Sequence, residues 1–147
     1  MKPTTIMKIA ACAVAVALCG RLSVSGNPLA EAVKVGSYNI RQSHADKGSP
    51  NAWDERKADL VALVKRLDLD VCGLQEVNPS QFKYLREALD DYEFVGEHRN
   101  ADRKSGDASH VFYRKSRFEA EKSGTFWLSE TPDVPGSKGW GAGCPRV

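Results

Sequence analysis

The chain is poor in cysteine and histidine. Four cysteines occur in 147 residues, with no Cys-x-x-Cys pair and no His/Cys cluster at zinc spacing, which excludes a structural zinc module. His44, His98 and His110 each stand alone and are read as surface or core residues rather than catalytic ones. No run of about 20 apolar residues is present, so no stable membrane span is expected. Internal repeats and low-complexity tracts are also absent, which excludes solenoids. With 21 basic and 19 acidic residues there is no basic excess of the kind that non-specific nucleic-acid binders carry. What remains, 41% hydrophobic and 27% charged, is the composition of one soluble globular domain.

The first 32 residues differ from the rest. Lys2 and Lys8 precede an apolar stretch from Ile9 to Cys19, the pattern of a secretory signal peptide. Val24-Ser-Gly26 and Ala30-Glu-Ala32 offer small residues for cleavage, which places the cut after about 26–32. An uncleaved anchor is the alternative, and Leu18 is too large to precede a lipidated Cys19. The expected location is therefore secreted or periplasmic. The leader takes three of the 21 basic and one of the 19 acidic residues, leaving 18 of each in residues 33–147. That balance disfavours duplex DNA as a partner. Cys12 and Cys19 leave as well. Cys72 and Cys144 remain, where an oxidising compartment would permit a disulfide, but Cys72 reads as a small core hydrophobe and two unpaired thiols are expected.

The rest of the chain reads as β-α-β-α-β-β-β. Val33–Ile40 alternates and forms a strand. Gln42–Asn51 is a loop broken by Gly48, Ser49 and Pro50. Asn51 is expected to cap a helix whose inner face carries Trp53, Leu60, Val61, Val64 and Leu67. Val71–Glu76 is apolar at nearly every position, as in a strand covered on both faces. Pro79 and Ser80 open a second helix with Phe82, Leu85 and Leu89 inside. Tyr92–Val95, Ala108–Arg114 and Arg117–Trp127 are strands, and residues 96–107 form a charged loop. Ser129–Val147 is too rich in glycine and proline for a regular element. Two β-α units followed by consecutive strands indicate a layered α/β fold with mixed sheets.

One position invites a functional reading. The strand ending at Glu76 leaves a carboxylate at the carboxyl edge of a sheet, where ligands bind in such folds. Sequential β-α strands usually neighbour one another, so Asn39 should face the same crevice. The bland alternatives are a solvent-exposed acid and a strand-terminating asparagine.

The motifs Ser37-Tyr-Asn-Ile-Arg41, Leu74-Gln-Glu-Val77, Phe112-Tyr-Arg114 and Gly124-Thr-Phe-Trp-Leu-Ser-Glu-Thr-Pro-Asp133 resemble the endonuclease/exonuclease/phosphatase superfamily, in its secreted bacterial branch. The resemblance runs from about Val33 to Val147. It implies an α/β fold of two mixed β-sheets packed face to face with helices outside, a four-layer sandwich that is incomplete here. It also implies a divalent cation, Mg2+ or Mn2+, and hydrolysis of a phosphate ester by a phosphodiesterase or phosphatase. Glu76 matches the family's metal-binding glutamate, and Asn39 the asparagine beside it, so the resemblance makes both metal-binding and catalytic. Magnesium is a hard cation that keeps several waters, so one or two protein oxygen ligands suffice. Arg41 serves either as a phosphate contact or as a structural salt bridge. In residues 96–107, Arg99, Asp102, Gly106 and Asp107 are the nearest matches to a loop that lines the site. This would make Arg99 and Asp107 substrate-binding, against the reading of a solvated charged loop.

Three departures accompany the resemblance. Asp107 stands where glutamate is more usual, which shortens the reach of that carboxylate. Gly141 follows Trp140 where the family has Asp. The later Asn-x-His, Asp-x-Asn and Ser-Asp-His motifs are missing. The chain is therefore expected to be the N-terminal half of such a domain and inactive by itself. The alternative is a non-catalytic binding fragment or pseudoenzyme. The substrate class stays open among nucleic acid, sugar phosphate and phospholipid headgroup.

Overall fold

The computed structural model describes residues 7–10 and 32–147. Most of the expected leader, with its cleavage region, Cys12 and Cys19, lies outside the described residues. Within the stretch expected to be a leader, Met7–Ala10 forms strand β1. The other elements are β2 (Val35–Asn39), α1 (Trp53–Leu67), β3 (Val71–Val77), α2 (Pro79–Ala88), β4 (Tyr92–Val95), β5 (Ala108–Arg114) and β6 (Phe118–Lys122). Four strands form one mixed sheet in the order β2-β3-β5-β4, and β1 lies parallel to β6. Strands β2 and β3 are parallel, with Asn39 opposite Gln75, while β5 runs antiparallel to both β3 and β4. One mixed sheet with two helices against it is the incomplete layered α/β architecture that the sequence suggests.

The core explains why these segments fold together. Cys72 and Leu74 alternate onto one sheet face beside Phe112, and Trp53, Leu60 and Val64 of α1 and Leu85 of α2 close over them with Leu89. Phe112, Leu74, Leu85 and Leu89 are wholly buried. At the other end of the sheet, buried Asp70 accepts the Lys34 amide at 2.8 Å and Arg117 Nη1 at 2.6 Å. This fixes where β2 and β3 start, and hence which residues reach their carboxyl ends.

Four local expectations change. Asn51 does not cap α1. A turn from Ser49 to Ala52 carries the chain one residue further, so Ala52 takes the cap position without a side-chain bond. Leu67 is half exposed, because Asp68 turns left-handed and ends the helix before that side chain reaches the core. Strand β3 is sealed on one face only: Cys72, Leu74 and Val77 are buried and the residues between them half-buried. Strand β6 stops at Lys122, and Trp127 is buried from an irregular segment instead. Helix α2 starts at Pro79 as expected, with Asn78 accepting the Gln81 amide at 3.0 Å and Gln81 returning a bond to the Asn78 amide.

Leu74 sits on the central strand at the middle of this core. Leu74→Ala should cost about 2–5 kcal/mol of stability, read as a lower urea midpoint. A shift below about 1 kcal/mol would mean that the sheet and helices do not share one core.

Candidate metal and phosphate site

The parallel register brings the carboxyl ends of β2 and β3 side by side. Asn39 Nδ2 donates to Glu76 Oε1 at 2.9 Å. The other Glu76 oxygen accepts the Gln42 amide at 3.2 Å, and Asn39 Oδ1 accepts the Arg41 amide at 2.9 Å. The Asn39 amide is thereby oriented from both ends. Each Glu76 oxygen accepts one bond, which leaves acceptor capacity unused. Asn39 is exposed and Glu76 half-buried.

Backbone geometry aims Glu76. The β3–β5 ladder is interrupted between Leu74 and Val77, and Glu76 adopts φ 61°, a left-handed conformation uncommon for a residue with a Cβ. Arg41 mirrors it at the end of β2 with φ 58°. Both helices pin the chain after β2. Arg56 of α1 donates to the Ile40 carbonyl, to the Arg41 carbonyl at 2.8 Å and to the Asn51 carbonyl at 2.9 Å. Gln81 of α2 donates to the Arg41 carbonyl at 2.8 Å, and Asn78 donates to Ser43 Oγ.

The charged loop belongs to the same neighbourhood. Arg99 Nη1 pairs with Asp107 Oδ2 at 2.8 Å, and the Gln42 side-chain Nε2 donates to that same oxygen. Arg99 and Asp107 are also joined by their backbones, at 3.0 Å. Gly106, with φ 78°, lets the loop close: a Cβ there would lie 2.9 Å from the Arg99 side chain. Asp102 organises its own turn by accepting the Lys104 and Ser105 amides, which with the Ser105 hydroxyl hold its carboxyl below the usual range. Trp127 Nε1 donates to the Arg99 carbonyl, tying the later segment to the loop.

Of the residues singled out by sequence, Asn39, Glu76, Arg99 and Asp107 are thus joined in one hydrogen-bonded chain. Arg41 joins it through its backbone alone. Its guanidinium pairs with Asp46, at 2.6 Å to Oδ2 and 2.8 Å to Oδ1. Gln42, the link between the two halves, carried no signal in the sequence beyond its place after Asn39-Ile-Arg41. His98 and His110 are buried and His44 is exposed. His110 stacks on Phe82 at 4.2 Å, and His98 bonds the Gly106 carbonyl through Nδ1 at 2.9 Å. Cys72 and Cys144 are free thiols, and burial pushes that of Cys72 up to about 11. Among the described residues, no group of three or more His, Cys, Asp or Glu gathers to hold a metal.

An α/β sheet that presents an asparagine–glutamate pair at its carboxyl edge, with two arginine–carboxylate pairs beside it, defines a candidate site for a cation and an anionic group. The chain belongs to the Endonuclease/Exonuclease/phosphatase family, whose sequence pattern matches residues 36–147. It is similar to a mannosyl-6-phosphatase of Bacteroides thetaiotaomicron VPI-5482, at 39% identity and TM-score 0.74 over 78% of this chain and 43% of that one. A family protein from Bacteroides vulgatus is 37% identical with TM-score 0.70, over 76% of this chain and 42% of that one. A functionally unknown conserved protein from Enterococcus faecalis V583 is 32% identical with TM-score 0.70, over 78% and 44%. An uncharacterized protein of Acanthamoeba polyphaga mimivirus is 24% identical over 119 residues, 70% of this chain and 17% of that protein. The chain spans less than half the length of each.

Burial, assisted by His98, lowers the His110 imidazole to about 4. An unfolded histidine titrates near 6.5, so the unfolded chain takes up a proton that folded His110 refuses. The contribution of His110 to stability is complete above pH 6.5 and is lost as pH falls from there to about 4. Urea midpoints across that window should show a loss of order 3 kcal/mol that His110→Phe, which keeps the ring stack, largely removes. An equally steep loss in His110→Phe would clear His110 as its source.

Proposed function

We propose that this chain carries the cation-holding part of a phosphate-ester hydrolase and that its substrate is a phosphorylated sugar. The observation that carries the reading is the Asn39–Glu76 pair at the carboxyl ends of β2 and β3, with Glu76 in a left-handed conformation. Glu76 would hold Mg2+ or Mn2+, and Asn39, whose Nδ2 donates to Glu76 Oε1 while its Oδ1 accepts the Arg41 amide, would orient that carboxylate. The donor fits: Glu76 offers carboxylate oxygens with acceptor capacity to spare, and a hard cation tolerates few protein ligands. When bound, such a cation offsets charge on phosphate oxygens. Arg41 and Arg99 supply the guanidinium groups that suit phosphate oxygens. The likeness to a mannosyl-6-phosphatase and the balanced charge of residues 33–147 both favour a sugar phosphate over duplex DNA. The leader pattern in residues 1–32 would direct the protein to the periplasm or the exterior.

Cation binding tests the reading directly. Mn2+ should bind the chain weakly, and Glu76→Ala should lower the affinity at least tenfold, about 1.4 kcal/mol, in a titration followed by electron paramagnetic resonance. Equal affinity in wild type and Glu76→Ala would remove Glu76 from the site.

With no group of three or more His, Cys, Asp or Glu gathered at Glu76 among the described residues, the same chain should bind without turning over. Bis-p-nitrophenyl phosphate should be hydrolysed no faster with the 147-residue chain than with Mg2+ alone. Rapid hydrolysis that Glu76→Ala abolishes would show that this part of the site suffices.

A further inference from the structure

Gln42 touches both parts of the site. Its backbone N–H donates to Glu76 Oε2 at 3.2 Å, and its side-chain amide donates to Asp107 Oδ2. That oxygen also accepts Arg99 Nη1, while Arg99 Nε is buried without a hydrogen-bond partner among the described residues. The segment that presents Gln42 is rigid on both sides. The Arg41 carbonyl before it is held by Arg56 and Gln81, and Ser43 after it by Asn78. The loop that presents Arg99 is equally fixed, by the Arg99–Asp107 backbone bond and by Trp127 Nε1. Two rigid segments therefore meet through one amide. The length of the glutamine side chain also answers the short reach of Asp107: an aspartate projects one methylene less than a glutamate, and the partner that reaches it from residue 42 is long.

We propose that Gln42 is a positioning residue: its amide holds the Arg99–Asp107 pair in register with Glu76, so that a phosphate bound beside Glu76 meets Arg99 in one fixed place. The inference rests on the proposed reading of Glu76. It assigns Asp107 to holding Arg99 and receiving Gln42 rather than to the substrate.

The test compares wild type with Gln42→Met, which keeps the length and loses the donor, and with Gln42→Ala, which loses both. Two quantities are read by nuclear magnetic resonance on the whole chain: solvent exchange of the Arg99 Nε–H, and the affinity for orthophosphate in the presence of Mg2+. Thermal melts confirm that each variant is folded. Both substitutions should speed Arg99 Nε–H exchange and weaken orthophosphate by about fivefold, the ratio set by one ordinary hydrogen bond. The Mg2+-induced shift of the residue-42 backbone amide should persist in both, because that N–H remains. Wild-type behaviour of Gln42→Met, with loss confined to Gln42→Ala, would show that Gln42 merely fills space and would overturn the proposal. A Mg2+ shift absent from wild type would instead overturn the reading of Glu76, and the Arg99 exchange rates would still decide whether the Gln42 amide orders that loop.

Discussion

The interruption of β3 after Leu74 is what the site depends on. Up to that residue the strand is an ordinary ladder, with Leu74 opposite His110 of β5, and pairing resumes at Val77 opposite Ala108. Between them Glu76 turns left-handed. A regular strand would keep the alternation and commit residue 76 to one face of the sheet. The irregularity instead lets the carboxylate meet Asn39 on β2 and the Gln42 amide beyond it. Such a backbone state costs about 1–3 kcal/mol and persists where surrounding bonds over-determine it. Those bonds are present here: two hydrogen bonds to the carboxylate, and a ladder that closes again within one residue of it.

The same device recurs along the segments around Glu76. Arg41, Asp46 and Arg103 also carry a Cβ at φ between 57° and 58°. Glycine or asparagine would adopt these turns at lower cost. At Arg41 and Asp46 the residue used is instead one whose charge is engaged, since the two pair with each other across the turn. The loop therefore trades backbone ease for fixed charges. The helices make the trade tolerable: Arg56 and Gln81 hold the Arg41 carbonyl from two directions, so the strained residue is anchored by its own backbone oxygen.

Legibility in the sequence followed the same division. Element order was readable because it rests on periodicity: Trp53, Leu60 and Val64 at helical spacing, and Cys72 and Leu74 on a strand. The pairing of Asn39 with Glu76 followed from topology, since neighbouring parallel strands end together. The misreadings came from competition that a linear pattern does not display. Asn51 is a good capping residue, but the preceding turn set the helix start one residue later. Leu67 fits the apolar stripe, but the left-handed Asp68 ends the helix before it can be buried. Gln42 gave no signal because its role is set by a contact 65 residues away along the chain. Side-chain bridges between distant loops leave no period and no spacing to read.

The two arginine–carboxylate pairs differ in a way that bears on the proposed chemistry. The Arg41 side chain is 60% exposed and its partner Asp46 23%, whereas Arg99 and Asp107 are 20% and 10% exposed. An exposed pair contributes roughly 0–1 kcal/mol and exchanges its partner readily. A buried pair resists separation, because each charge left behind would be desolvated and alone. On the proposed reading the Arg41–Asp46 pair lies between these cases, since its guanidinium is exposed and Asp46 Oδ2 is buried, while taking Arg99 from Asp107 would strand a buried carboxylate. On that reading Arg41 is the more accessible guanidinium, and Arg99 stands as a fixed positive wall whose charge Asp107 partly offsets. With Gln42 sharing the Asp107 oxygen, that wall is held to the strand end that carries Glu76. On the proposed reading, the two guanidinium groups of the site differ in exposure rather than in residue type.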